Sequence, residues 1–310
     1  LKALSDAVDQ SAGNGAAARA RAAGHRRNED WPVRQAELEQ RHHREERSRD
    51  EAARVGDVRR RCAVEALGHC AGEFPRARRG AVRIILARLR QGERTFVVTA
   101  NPEFVMLARS DAELRRIAAE ANLVVPDGTG VLVASRLLGD PLPGRAPGRL
   151  IVAGVAGGAA AIGATVSLLG AAPGVADRAA GRLRERHPGL VVAGAHAGSP
   201  LPEHDDEVAG RVAANAPAIL FVAYGMPAQE RWIARNLARL PSVRVAIGVG
   251  GVFDQLAGVG VTPPRLVHAI GLEWLWRLLR EPRRWRRQRV LPIFAALVLL
   301  ERVRRSRGVA

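Results

Sequence analysis

Residues 165–186 read TVSLLGAAPGVADRAAGRLRER: an apolar run, a glycine-rich turn and then an amphipathic stretch. The apolar run predicts a buried strand over 165–169, and the periodic stretch predicts a helix over 175–186. The alternation continues, with strands predicted over 190–193, 218–223 and 243–248 and helices over 203–215 and 227–240. Strands that alternate with helices are typical of parallel βαβ units. We therefore predict an α/β fold, a Rossmann-like, doubly wound parallel sheet.

The residues before this stretch extend the same pattern. Further strands are predicted over 95–99 and 123–125, and helices over 82–90, 110–121, 130–138 and 150–163. Ser110 and Glu113 have the spacing of a capping box, so we expect them to open the second of these helices. Ligands of such sheets bind beyond the carboxyl ends of the strands, and functional residues are expected there.

Composition divides the chain into three parts. Residues 1–80 are rich in Ala, Arg, Glu and Asp with few large apolar residues, which predicts a low-complexity, disordered extension. Residues 81–262 carry the predicted α/β domain. Residues 263–310 are helical in pattern and strongly basic, and we expect them to form a helical appendage.

The charge of the chain favours an anionic partner. Its 48 Lys and Arg residues against 31 Asp and Glu residues give a formal net charge of +17. Nucleic acid, an anionic membrane and a phosphorylated substrate all remain open on this ground. Cys62 and Cys70 form no CxxC pair, which favours a reducing compartment. With no apolar signal core and no apolar run near the ~20 residues of a spanning helix, we expect a cytoplasmic protein with peripheral membrane contact.

Polar residues follow two of the predicted strands. Asp127 follows the strand over 123–125, and a carboxylate at such a strand end is well placed to act as a general base. Thr99 and Asn101 lie at the end of the neighbouring strand and offer neutral hydrogen bonds to a sugar. An ordinary Asp-Gly turn is the alternative for Asp127, although the helix predicted after it argues against a hairpin.

Two glycine-rich loops also follow strands. Gly170 and Gly174 flank a turn that opens a helix, where backbone N–H groups can approach a phosphate. Gly250 and Gly251 leave room for a ring or a ribose, and Asp254 can accept hydrogen bonds from a ribose or base. A plain tight turn and a helix N-terminal Asp are the respective alternatives.

Gln229 and Glu230 lie in the first turn of the helix predicted over 227–240. They either hold sugar hydroxyls or satisfy the N-terminus of that helix. Their spacing alone does not decide between these two roles.

Taken together, these stretches resemble the WecG/TagA/CpsF family, glycosyltransferase family 26. The matching stretches lie in the family's order and are Thr99–Asn101 with Glu103, Val125–Val131, Arg145 with Gly148, Gly170–Gly174, Gly225–Ile233, Gly248–Asp254 and Gly271–Arg284. Three loops depart from the family pattern. Arg145–Arg149 lacks an acidic residue, Thr262–Pro264 stands where Arg-Ala-Pro is frequent, and Gly198–Pro200 replaces a Gly-Tyr-Phe-like element.

The resemblance implies an inverting transfer of a sugar, typically N-acetylmannosamine, from a UDP-sugar. The implied acceptor is a sugar, usually N-acetylglucosamine, linked to a polyprenyl diphosphate, namely undecaprenyl diphosphate. Such acceptors serve the synthesis of wall teichoic acid, enterobacterial common antigen or capsule. Asp127 matches the family's proposed base, Thr99 matches the Thr of its T-x-N motif, and Arg145 is expected to help neutralise the diphosphate. Family members work without a metal, and since this chain has no Asp-x-Asp pair, we expect neither a metal nor another cofactor.

Arginines are interleaved with tryptophans in the C-terminal part of the chain. Those expected at the diphosphate or the membrane are Arg277, Arg280, Arg283 and Arg284, with Trp274, Trp276 and Trp285 among them. This composition suits an interfacial helix on anionic lipid, at roughly 1 kcal/mol per arginine, and a solvated basic face is the alternative.

With the resemblance, we expect a protein on the inner face of the plasma membrane and no nucleic-acid partner. A non-catalytic nucleotide-sugar binding module and a basic nucleic-acid-binding protein remain alternatives.

Overall fold

The computed structural model describes residues 74–260, 264, 267, 273–280 and 285–307, with side chains from Arg79 onwards except at 273, 277, 286 and 287. The predicted disordered extension therefore lies almost wholly outside the described residues. The first of the described helices begins at Phe74, inside the stretch assigned to that extension.

The described elements alternate as the sequence predicts. In chain order they are α1 (Phe74–Arg90), β1 (Thr95–Ala100), α2 (Pro102–Ser110), α3 (Ala112–Glu120), β2 (Leu123–Pro126), α4 (Thr129–Leu137), α5 (Gly148–Ile162), β3 (Val166–Gly170), α6 (Val175–Arg186), β4 (Val192–His196), α7 (Asp205–Ala214), β5 (Ile219–Ala223), α8 (Ala228–Asn236), β6 (Val245–Gly248), α9 (Val252–Leu256), α10 (Glu273–Arg280), α11 (Trp285–Gln288) and α12 (Val290–Ser306). Short 3₁₀ turns precede α7 at Pro202–His204 and follow α8 at Leu237–Arg239.

The six strands form one sheet in the order β2-β1-β6-β5-β3-β4, and every pair is parallel. The predicted α/β fold with a parallel sheet is therefore confirmed. The last strand, β6, lies in the middle of the sheet: Val245 is paired with Thr95 of β1 on one side and with Ile219 of β5 on the other. The carboxyl ends of β1, β6, β5 and β3 consequently lie side by side.

Helices cover both faces of the sheet, so its strands are apolar on both sides. One core contains Val97, Ile247 and Phe221 from the strands together with residues of α1, α5, α6 and α9. The other contains Val98, Val222 and residues of α2, α3, α7 and α8. This accounts for the continuous apolar runs by which the strands could be predicted.

The glycines of α5 allow α1 to lie close against it. A Cβ at Gly154 would come within 2.8 Å of a Val82 methyl, and one at Gly158 would overlap Leu86. The glycine-rich composition of this helix therefore reflects close helix packing, and α1 is part of the domain core through Ile85.

Several element boundaries differ from the prediction. Helix α2 was not predicted, although Pro102 in its first turn and the Asn101 side chain, which accepts from Phe104 N at 2.9 Å, both mark its start. The cap of α3 is Asp111, whose carboxylate accepts from Leu114 N at 2.9 Å, and the Ser110 hydroxyl donates to Leu107 O instead. Strand β4 begins at Val192, two residues later than predicted.

A C-terminal helix is present, as predicted. Helix α12 packs against α2 and α4. Arg305 near its end donates to the carbonyl oxygen of Leu138 at 2.7 Å and lies 3.3 Å from the carboxylate of Asp140. None of the helices that the structure describes combines the length and the apolar character needed to cross a bilayer.

Candidate active site

The centre of the candidate site is the junction between the carboxyl ends of β1 and β6. The Thr99 hydroxyl donates to the carbonyl oxygen of Gly248 at 3.1 Å, and Thr99 is only 6% exposed. Its hydroxyl hydrogen is therefore used within the protein, where it fixes the spacing of the two strand ends. Asn101, two residues further along, has its side-chain oxygen engaged as the N-cap of α2.

Asp127 lies directly beyond β2 and is tied to β1. Its backbone N–H donates to Ala100 O at 2.7 Å, and Gly128 after it has a φ of +104°, which turns the chain into α4. A Cβ placed on Gly148 would lie 3.8 Å from both Asp127 Oδ2 and the carbonyl oxygen of Val249. The Asp127 carboxylate therefore lies where the end of β2, the start of α5 and the loop after β6 meet.

Arg145 lies beside the turn that carries Asp127. One guanidinium nitrogen is 3.3 Å from the hydroxyl of Thr129, two residues after Asp127. Ala146 N donates to Pro126 O at 2.8 Å, which anchors the Arg145–Arg149 loop to the end of β2. The structure thus brings together the predicted base and the predicted phosphate-binding arginine.

Gln229 and Glu230 lie behind the loop that follows β6. Gln229 is 1% exposed and Glu230 is 0% exposed. The Gln229 amide nitrogen donates to Glu230 Oε1 at 2.8 Å, and its amide oxygen accepts from Gly250 N at 2.8 Å. This arrangement favours a supporting role within the protein over direct contact with sugar hydroxyls.

Burial raises the pKa of Glu230 to about 7, against the opposing effect of hydrogen bonds from the Gln229 side chain and from its own backbone. Its second oxygen, Oε2, has no hydrogen-bond partner among the residues that the structure describes. Burying a carboxyl group with an unpaired oxygen lowers the free energy of unfolding. Groups with pKa values perturbed in this way cluster at functional sites.

The loop after β3 carries Gly170 and Gly174. Gly170 has a φ of +111°, and a Cβ there would lie 2.7 Å from the Ala223 carbonyl carbon, so only glycine fits against β5. Gly174 is the N-cap residue of α6 with a φ of +75°. The helix has no side-chain cap, and Val175 N at its start donates to Ala172 O at 3.0 Å, so only N–H groups after Val175 remain for an anion.

The loop after β6 carries the remaining predicted residues. Gly250 has a φ of +54°, and a Cβ there would meet nothing within 4 Å. Asp254 lies in the first turn of α9, with its carboxylate 3.6 Å from the position of a Cβ on Gly251. Gly250 therefore borders open space, as a residue at a ligand site should.

The predicted C-terminal arginines are only partly described. Arg280 lies over the Trp276 ring at 4.9 Å from its centroid. Arg283, Arg284 and the side chain of Arg277 lie outside the described residues. Helix α12, however, reaches the site: its Phe294 lies 3.9 Å from the position of a Cβ on Gly130, in the helix that follows Asp127.

Gly248 is the residue whose importance the sequence reasoning missed. A Cβ on it would lie 2.7 Å from the Gln229 amide nitrogen and 3.1 Å from Glu230 Oε1. The signal in the sequence is a glycine at the end of a buried strand, where a larger apolar residue is otherwise expected. Across the described residues, no group of three or more His, Cys, Asp or Glu side chains is arranged to hold a metal ion.

Comparisons with known proteins identify the family that the chain resembles. Residues 75–308 match the model of the glycosyl transferase WecG/TagA/CpsF family. A Bacillus spizizenii protein named N-acetylglucosaminyldiphosphoundecaprenol N-acetyl-beta-D-mannosaminyltransferase is 35% identical over 211 residues, which is 68% of this chain and 81% of that protein. A Staphylococcus aureus protein of the same name is 34% identical over 199 residues, 64% of this chain and 77% of that protein.

Proposed function

This chain belongs to the WecG/TagA/CpsF family of glycosyltransferases, and from that premise we propose that it transfers N-acetylmannosamine to N-acetylglucosamine linked to undecaprenyl diphosphate. The donor is proposed to be the UDP-activated sugar. The observation that carries the proposal is the position of Asp127, where the ends of β1, β2 and β6 meet the start of α5. Both relatives that support it carry this activity in their names.

Asp127 is proposed to act as the general base. As the acceptor hydroxyl oxygen forms its bond to the anomeric carbon, its proton passes to the Asp127 carboxylate. The bond from that carbon to the UDP oxygen breaks on the opposite face, and UDP leaves with the electron pair. Attack opposite the leaving group inverts the anomeric centre, and a positioned base contributes about 10²–10⁴-fold to such a step.

The leaving diphosphate is proposed to be stabilised without a metal. Arg145 lies beside the turn that carries Asp127, and the start of α6 at Gly174 has no side-chain cap. Arg277, Arg280, Arg283 and Arg284 are the further cations assigned to this role. Guanidinium groups and helix N-termini together can neutralise a phosphate in place of a divalent ion.

The proposed location is the inner face of the plasma membrane, held peripherally. Helix α12 exposes Ile293, Leu299, Leu300 and Val303, each at least 43% accessible to solvent, and it also carries arginines near its end. Apolar side chains next to arginines suit the boundary between headgroups and acyl chains. A lipid-linked acceptor would be met at that boundary.

The two alternatives are not favoured by the family relationship. A non-catalytic binding module would bind UDP-sugar without turnover. A nucleic-acid-binding protein would bind oligonucleotides with a steep salt dependence and ignore UDP.

One assay tests the proposal directly. The protein is incubated with each of a panel of UDP-sugars and with a short-chain lipid-diphosphate-N-acetylglucosamine, and UDP release is measured with and without this acceptor. We expect acceptor-dependent release that is fastest with UDP-N-acetylmannosamine and unaffected by EDTA. Absence of release with every donor would overturn the proposed function.

A further inference from the structure

The buried pair Gln229–Glu230 shapes the loop that follows β6. Glu230 Oε1 accepts from the Gln229 amide nitrogen at 2.8 Å, and the Gln229 amide oxygen accepts from Gly250 N at 2.8 Å. A single side chain, that of Gln229, therefore connects Glu230 to the backbone of the loop at Gly250.

The direction of the Gln229 amide is set by Glu230. An amide has a donor end and an acceptor end, whereas the carboxylate oxygen that faces it accepts and the Gly250 N–H donates. Turning the amide over would place its NH₂ group against the Gly250 N–H and its oxygen against Glu230 Oε1. Both hydrogen bonds would be lost, so only one orientation satisfies the two neighbours.

The pair is also packed against the sheet. Because Gly248 has no side chain, the Gln229 amide and Glu230 Oε1 fit against its Cα. A Cβ on Gly248 would lie 2.7 Å from the Gln229 amide nitrogen and 3.1 Å from Glu230 Oε1. The carbonyl oxygen of Gly248 in turn accepts from the Thr99 hydroxyl. Glu230 and Gln229 thus belong to the same assembly as the strand ends that flank Asp127.

Gly250 itself depends on this contact. It has a φ of +54° and carries no side chain with which to fix the loop, and a Cβ on it would meet only open space. The hydrogen bond from Gly250 N to Gln229 Oε1 therefore holds its backbone, while the side on which a Cβ would lie faces open space.

We propose that Glu230 is a positioning residue: through Gln229 it holds the Gly248–Gly251 loop in the shape that receives the sugar nucleotide. This inference rests on the proposed function for its ligand. Glu230 touches neither substrate, since it is fully buried. Its contribution is to substrate binding through the loop.

Two substitutions of Glu230 distinguish the role of its hydrogen-bond acceptor from the role of its side-chain size. Glu230→Gln keeps a carbonyl oxygen that can accept from Gln229, whereas Glu230→Leu keeps the size and removes the acceptor. We expect the Leu variant to raise the KM for the UDP-sugar by about tenfold, as for one lost hydrogen bond, with a smaller change in kcat. The Gln variant should restore KM to near the wild-type value.

The second measurement needs no turnover. Hydrogen exchange of the Gly250 amide is followed by NMR in protein labelled with ¹⁵N-glycine. Gly250 should be protected in the wild type and in Glu230→Gln, and should exchange about tenfold faster in Glu230→Leu, while Gly181 within α6 stays unchanged.

The outcomes separate the two ideas. If the protein has no transferase activity but Gly250 exchanges as expected, the proposed function is wrong and the role of Glu230 in holding the loop is supported. A Gly250 amide that exchanges as fast as an unstructured glycine in the wild type overturns the inference, even if Glu230→Leu does not fold. An unchanged KM in a folded Leu variant overturns it as well.

Discussion

The Thr99 hydroxyl donates to the carbonyl oxygen of Gly248 across 149 residues of sequence, and this bond joins the ends of two neighbouring strands at the centre of the site. Both residues lie in stretches that the family resemblance singled out. Their contact links the turn of Asp127, through β1, to the loop held by Gln229.

Thr99→Val should lower both stability and transfer rate. The substitution keeps the shape but removes the donor to Gly248 O, and a buried hydrogen bond of this kind contributes about 1 kcal/mol. Thr99→Ser retains the hydroxyl and should recover most of the loss. Urea unfolding and UDP release measure the two effects, and a Val variant equal to wild type in both would show that the bond has no such role.

Asp127→Asn should reduce transfer by about 10²–10⁴-fold, because the amide cannot take the acceptor proton. UDP binding should stay nearly unchanged, since the donor diphosphate is assigned to other residues. UDP release under saturating substrates and calorimetric titration with UDP measure the two quantities. Wild-type turnover in this variant would mean that Asp127 is not the base.

Gly248→Ala should destabilise the protein by about 1–3 kcal/mol, because its methyl group would press on the Gln229 amide and the Glu230 carboxyl group. Gly210→Ala is the matched control: it lies in α7, is exposed and has free space around a Cβ. That change should stabilise the helix by about 0.5–1 kcal/mol. Equal unfolding free energies for the two variants would contradict the packing described here.

Glu230 should make the free energy of unfolding fall with rising pH. Its pKa is about 7 in the folded protein against an ordinary value of 4.5, so the folded state binds the proton more tightly. The stabilisation by the protonated form is lost as pH rises from about 4.5 to about 7, by about 3 kcal/mol. Urea unfolding at about pH 5 and about pH 8 should show this loss in the wild type and a smaller one in Glu230→Gln. Identical pH dependence in both proteins would exclude Glu230 as its source.

Leu299→Gln combined with Leu300→Gln should weaken binding to vesicles that contain anionic lipid. Both side chains are about half exposed on α12, and their burial in the interface would be lost. Leu201→Gln, on an exposed residue of another part of the chain, is the control. Vesicle flotation measures bound protein, which should also fall at high salt. Full flotation of the double variant would show that α12 is not the membrane contact.

Much of the fold follows from the sequence, because strands covered on both faces are apolar without interruption. Strand β4 begins two residues later than predicted, because the apolar residues Leu190 and Val191 before it do not belong to the strand. Leu190 is buried in the core from the preceding turn, and Val191 is 50% exposed. Helix α2 has two start signals, the N-cap Asn101 and Pro102 in its first turn, and Asn101 also belongs to the stretch that resembles the family motif.

The site was predictable as a set of strand ends and not as a set of contacts. Sequence order placed Asp127, Thr99 and the Gly250 loop at one edge of the sheet, where they are found. Spacing could not tell whether Gln229 and Glu230 face outward or inward, because both alternatives use the same helical turn. Their burial depends on Gly248, which is distant in sequence and meets them only through the insertion of β6.

The central position of β6 has a consequence for how the protein is made. Among the described strands, β6 joins two sections of the sheet, β2 with β1 and β5 with β3 and β4, and it is the last of them to be synthesised. Gly248 and Gly250 arrive with the strand that joins these sections, so Thr99 and Gln229 gain their partners at the same moment. The hydrogen bonds that order these loops therefore depend on the same strand that completes the sheet.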